Sequence, residues 1–182
     1  MNIFYLHKDP VVCAPLHCDK HVVKMIIEYA QMLSTAHRML DGKEYIDASS
    51  GRRIRRWRHP NSNMDGVLYK ASHINHPSAI WVRASVNNYQ WTLRLWQQLC
   101  FEYTYRYGKI HLTYDKLKDI VNEVPQNIPT DIPFSEPPPA MPDYCKVAGN
   151  SLISYHKYYA KEKKRFAKWT LRETPTFMEQ YA

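Results

Sequence analysis

A run of apolar residues at three-to-four spacing constrains this chain most. Between about His17 and Leu40, Val22, Ile26, Tyr29, Leu33 and Leu40 recur at that interval, and Asp41-Gly42 closes the run. Such spacing lines up one face of an α-helix, so a helix is predicted over about 17–40. Val23, Met25, Ile27 and Met32 widen the apolar surface, which predicts a central position in the fold. At 100° per residue, His17, His21, Lys24 and Glu28 share the one polar stripe that remains.

The rest of the chain is also mostly helical in pattern. A second region opens at Pro77 and runs to Tyr107, with Gly108 as a C-terminal cap; Asn87-Asn88 could break it in two. Shorter stretches follow at about 113–123 and 149–172. Residues 43–76 carry little periodicity and read as a long basic loop or insertion. Seven of the twelve prolines lie between Pro125 and Pro142, so that segment is extended. With only five glycines, a tight-turned sandwich or barrel is disfavoured. The expected fold is therefore all-α, a single helical domain over 1–182 with two irregular segments. No run of eighteen apolar residues offers a membrane span. The amino terminus lacks a basic-then-apolar leader, so a cytoplasmic location is expected. The cysteines (Cys13, Cys18, Cys100 and Cys145) form no CxxC pair, which favours reduced thiols.

The net charge of +8 points to a polyanionic partner, nucleic acid or nucleotide. On the first helix, His17, Asp19, Lys20, His21, Lys24 and Glu28 are the candidate catalytic residues. Two imidazoles, amines and carboxylates on one face can move protons or activate a nucleophile; a plain solvated helix face is the structural alternative. His-x-x-x-His also matches zinc-ligand spacing, but Lys20 and Lys24 oppose a cation there, so neither metal nor cofactor is expected. His73 and His76 precede a predicted helix N-terminus, where backbone N–H groups favour anions, and Arg83 lies two turns in. The run RRIRRWRH supplies Arg52, Arg53, Arg55, Arg56, Trp57 and Arg58, cations for phosphates and an indole for a base. Near the carboxyl end, Lys157, Lys161 and Lys164 interleave with aromatics in the same manner.

Four segments, CDKHVVKMIIEYAQMLSTAHR, HPSAIWVRASVNNYQW, EYTYRYGKIH and PPAMPDYCK, resemble those of a family of small tailed-phage proteins common among marine phages. The resemblance covers nearly the whole chain outside 43–72 and implies a host-cell cytoplasmic location. It implies no function by itself. More distantly, the order of elements is similar to that of pyrimidine-dimer DNA glycosylases of the endonuclease V type. That resemblance implies a helical enzyme whose amino-terminal amine attacks a sugar C1′ to form a Schiff base, assisted by a helix carboxylate. In it His17 matches the early histidine. The carboxylate, about two turns later, falls on Lys24, leaving Asp19 and Glu28 as the nearby substitutes. The amine would be that of Asn2 after methionine removal, which the bulk of asparagine disfavours.

Two leading expectations follow. The first is a DNA-repair glycosylase/lyase. The second is a binder, or histidine-based phosphodiesterase, of a small phosphorylated nucleotide such as a host signal. They differ in whether a covalent intermediate with DNA forms.

Overall fold

Ile3-Phe4-Tyr5-Leu6 is buried without belonging to a helix or strand. In the computed structural model, which describes residues 1–181, this segment is packed into the hydrophobic core. Its backbone groups are satisfied by side chains from distant elements, as buried amides and carbonyls require. Phe4 N–H donates to the Tyr29 hydroxyl (3.1 Å), and His156 Nε2–H donates to Leu6 O (2.9 Å). Trp91 Nε1–H donates to Lys8 O at 2.8 Å.

Helix α1 (Pro10–Cys13) follows, capped by Asp9, then a 3-10 turn over Ala14–Leu16. Helix α2 (Asp19–Asp41) is the central element, as its apolar spacing predicts. Val22, Ile26, Ala30 and Leu33 are fully buried along it. The basic segment is not a loop. Strands β1 (Lys43–Asp47) and β2 (Ile54–Arg58) pair antiparallel, with Glu44 opposite Trp57 and Tyr45 opposite Arg56. The expectation of an all-α chain is corrected accordingly: the fold is largely helical and includes a two-stranded sheet. The alternation in IRRWR, masked by its charge, puts Arg55 and Trp57 on one face and Arg56 and Arg58 on the other. Helix α3 (Ser62–Val67), capped by Asn61, lies within what was expected as loop.

Arg38 fastens this unit to α2. Its guanidinium donates to the carbonyls of Trp57, Asp65, Leu68 and Tyr69 and to the Asp65 carboxylate, over 2.6–2.9 Å. Helices α4 (Pro77–Ala84) and α5 (Val86–Tyr107) form the second helical region. The break falls at Ser85, two residues before the expected asparagines, because its extended backbone lets the hydroxyl cap Asn88 N. Gly108 ends α5 in the left-handed conformation, φ 65°, which glycine adopts without strain. Helix α6 (Leu112–Leu117) is shorter than expected.

The proline-rich segment is extended and pinned. Val86 N–H donates to Pro129 O, Trp81 Nε1–H to Ser135, and the Tyr155 hydroxyl to Pro138 O. Helix α7 (Ser151–Tyr158) passes into one π-helical turn, Tyr159–Lys163, well short of the predicted end at 172. Helix α8 (Phe177–Gln180) is last. All four cysteines are free and buried. No helix among the described residues is long and apolar enough to cross a membrane.

Candidate active site

The two histidines at the head of α2 have different surroundings. His17 is fully buried, and both ring nitrogens are engaged. Its Nδ1–H donates to Cys13 O (2.9 Å), which leaves Nε2 to accept from the Tyr29 hydroxyl (3.1 Å). Burial pulls its pKa down to about 4, so the ring is neutral at physiological pH. His21 is 6 % exposed, stacked on Phe4 at 4.2 Å and hydrogen-bonded through Nδ1 to the Tyr159 hydroxyl in the π-helical turn. Burial, followed by the charges of His17, Lys163 and Lys24, depresses its pKa to about 3.

One turn beyond His21 the stripe reaches the surface. Lys24 Nζ lies 3.1 Å from Glu28 Oε1, and the α-amine of Met1 lies 3.8 Å from Glu28 Oε2. Glu28 thus stands between two amines, one of them the chain terminus, delivered there by the buried Ile3–Leu6 segment. His76 belongs to the same neighbourhood. Its pKa is lowered by burial first, then by the positive amino terminus and His73, while Glu28 acts in the opposite direction. His76 caps α4 by accepting from Ser78 N (3.2 Å), as its place before Pro77 suggests. His73 is exposed at φ 48° and accepts the His76 N–H. Arg83 points inward. It donates to Ile74 O at 2.7 Å and holds the 73–76 turn, and its other terminal nitrogen is buried without a partner among the described residues.

The remaining sequence candidates divide between clamps and open surface. Asp19 accepts from Arg106 (2.8 Å) and from Thr170 N and Oγ1. Arg106, fully buried, also donates to Glu102 and to Pro15 O, and Arg172 grips Glu102 with two nitrogens at 2.8 and 2.9 Å. Lys20 is exposed over the Phe166 ring. On the hairpin, Arg55 pairs bidentately with Glu44, Arg56 faces Asp47 at 4.0 Å, and Arg58 lies over Tyr45. Trp57 is buried. Arg52 and Arg53 remain exposed on the connecting turn without an ion pair among the described residues. Lys161 and Lys164 are exposed and Lys157 is half-buried.

Sequence reasoning missed Lys163, which contributes to the field at His21 and donates to Tyr158 at 2.9 Å. Its only signal was the basic run 161–165. The arrangement offers one carboxylate beside a primary amine, in a surround otherwise basic or imidazole-bearing. It can deprotonate an amine or a carbon acid and attract a phosphate. The chain matches no protein-family model, no curated protein and no solved structure.

Proposed function

We propose that the chain is a DNA glycosylase/lyase whose nucleophile is its amino-terminal amine and whose assisting carboxylate is Glu28. The observation that carries this reading is the 3.8 Å separation between the Met1 amine and Glu28 Oε2. It also sharpens the resemblance to the pyrimidine-dimer glycosylases. With His21 rather than His17 as the histidine of that pattern, the carboxylate two turns later is Glu28 and not Lys24. On this reading the reacting amine is that of Met1 and not that of Asn2.

The chemistry is a Schiff-base sequence. The amine lone pair adds to the sugar C1′. The damaged base departs from an intact nucleotide and the C1′–O4′ bond then opens, O4′ taking a proton released by the amine, or water departs from an abasic aldehyde; either route leaves an imine. Glu28 takes a proton from C2′, the C3′–O bond breaks with the 3′ phosphate as leaving group, and water hydrolyses the imine to restore the amine. The α-amine is a primary amine and so can form an imine. Lys24, Lys161, Lys163 and Lys164 supply positive charge for the backbone, and a nucleotide must leave the stack to reach the amine.

The test is borohydride trapping on a duplex carrying an abasic site, with the adduct mapped by mass spectrometry. The expected adduct is on the Met1 amine, and it disappears when that amine is acetylated. No adduct, an adduct on a lysine, or residues found ahead of Met1 in the native protein would overturn the proposal. The runner-up, capture of a small phosphorylated nucleotide, is favoured by the exposure of His73 and Lys24. It would gain if nucleotides raised the melting temperature while no adduct formed.

A further inference from the structure

At the far end of α2, away from Glu28, three side chains with metal-binding chemistry converge. His37 and Asp41 stand one turn apart on the helix, and His59 follows the last residue of β2. One donor atom from each lies within 4.8 Å of the others, and Asp41 Oδ2 is 3.8 Å from His59 Nε2. All three are withdrawn from solvent: His37 is 1 % and His59 6 % exposed, and the Asp41 side chain 5 %.

Hydrogen bonds around the cluster leave it incomplete. The Tyr89 hydroxyl uses its proton on Val121 O (2.8 Å), so at 2.9 Å it accepts the Nε2–H of His37. The lone pair of His37 is thereby fixed on Nδ1. His37 Nδ1 and His59 Nε2 have no hydrogen-bond partner among the described residues. Leaving such a buried atom unsatisfied costs about 1–3 kcal/mol. Asp41 is held differently. Its two oxygens accept backbone N–H groups from Gln126 and Asn127, each at 2.9 Å. That is the outer support commonly found behind metal-binding histidines and carboxylates, as is the Tyr89 contact behind His37.

We infer that His37 Nδ1, Asp41 Oδ2 and His59 Nε2 form a site for one zinc ion. Two imidazoles and a carboxylate are a nitrogen–oxygen set that suits zinc with a fourth position left open. That position faces a hollow of about 280 Å³ lined also by Asn61, Met64 and Glu123, with room for water. Zinc bonds of about 2.0–2.1 Å place tetrahedral donors roughly 3.3–3.4 Å apart. The Asp41–His59 pair, at 3.8 Å, is already close to that spacing. His59 now accepts Asn61 N–H at Nδ1 over 3.2 Å. Zinc at Nε2 moves the ring proton to Nδ1 and hands that exposed amide to water. Lys43 and Arg58, with Glu44, border the adjoining hollow, so the field there weakens binding relative to an all-thiolate site. The ion joins the end of α2 to the base of the hairpin, and its binding does not depend on the DNA chemistry proposed above.

The full chain, stripped with a chelator, is titrated with zinc against a chromophoric chelator and with cobalt(II) under visible absorption. The expected result is one ion per chain, a four-coordinate cobalt spectrum and a zinc-dependent rise in melting temperature. His59→Phe abolishes all three, whereas His73→Ala leaves them intact. On the wild-type protein, histidine ¹⁵N spectra are expected to shift at His37 Nδ1 and His59 Nε2, a readout independent of how the variant folds. Failure of the wild-type chain to bind zinc, binding unchanged in His59→Phe, or shifts confined to other histidines overturns the assignment.

Discussion

The Tyr29 hydroxyl donates to His17 Nε2 at 3.1 Å while accepting Phe4 N–H at 3.1 Å. The relay continues from His17 Nδ1–H to Cys13 O, so one buried histidine and one buried tyrosine fix the path of the amino-terminal segment. Tyr29→Phe removes the donor to His17 and the acceptor for Phe4 together. Two buried groups left unpaired predict a loss of about 2–4 kcal/mol, read by denaturant unfolding. Because the same relay carries Met1 to Glu28, the yield of the borohydride adduct should fall as well.

Glu28→Gln tests the carboxylate directly. The side chain is only 15 % exposed and holds two amines, yet its amide analogue fits the same space. Strand cleavage at an abasic site should drop roughly 10²–10⁴-fold, the usual size of a lost general base. The imine should still form and be trapped. Unchanged cleavage, followed on labelled duplex, would remove Glu28 from the mechanism.

Acid should destabilise the fold earlier than its carboxylates alone predict. In the folded state the pKa of His17 is about 4 and that of His21 about 3. Both lie below the ordinary value near 6.5. The unfolded chain therefore binds more protons between those limits, so stability is fully present above about pH 6.5 and is lost as pH falls towards 4. The loss should be on the order of a few kcal/mol, since each pKa unit corresponds to about 1.4 kcal/mol. His21→Phe should flatten the urea-unfolding profile over that window, and an unaltered slope would contradict the assignment.

Arg106→Met tests the clamp between the start of α2, the end of α5 and the carboxyl-terminal segment. The arginine is fully buried and its removal strands Glu102 at 4 % exposure, although Arg172 still reaches it. Breaking a buried pair from one side costs about 3–5 kcal/mol. Double replacement of Arg106 and Glu102 by apolar residues should recover much of that loss.

Arg52 and Arg53 are exposed hairpin cations without an ion pair among the described residues. Replacing both with alanine should weaken DNA binding similarly on all sequences. The slope of log affinity against log salt should fall by about 1.8, near 0.9 per phosphate contact. Thermal stability should be unaffected, because neither side chain is packed.

Much of the scaffold was legible in the sequence. The 17–40 periodicity, Pro77, Gly108 and the 125–142 prolines each mark a local backbone preference, and each coincides with an observed element or boundary. The hairpin was not legible. Its alternation runs through arginines, and its stability comes from Arg38, nineteen residues before Trp57, rather than from an apolar face. On the site, His21, Lys24 and Glu28 share one face of α2 as helix geometry predicts, whereas His17, expected on the same stripe, precedes the helix in extended backbone and is buried. The division of the stripe into a sealed half and an open half does not follow from helix geometry, because Phe4, Tyr159 and Met1 arrive from elsewhere in the chain. The long-range partners of Asp19 and Arg106 were invisible for the same reason.

The buried Ile3–Leu6 segment also sets a timetable. Leu6 is secured by His156, 150 residues later, and the turn before α2 by Trp169, which donates to Leu16 O across 153 residues. Closing loops of that length is entropically costly and slow. A chain emerging from the ribosome can form α2 early, but it cannot lock its own first residues until His156 and Trp169 have been made. The Met1 amine and Glu28 are therefore brought together only after those distant residues have emerged.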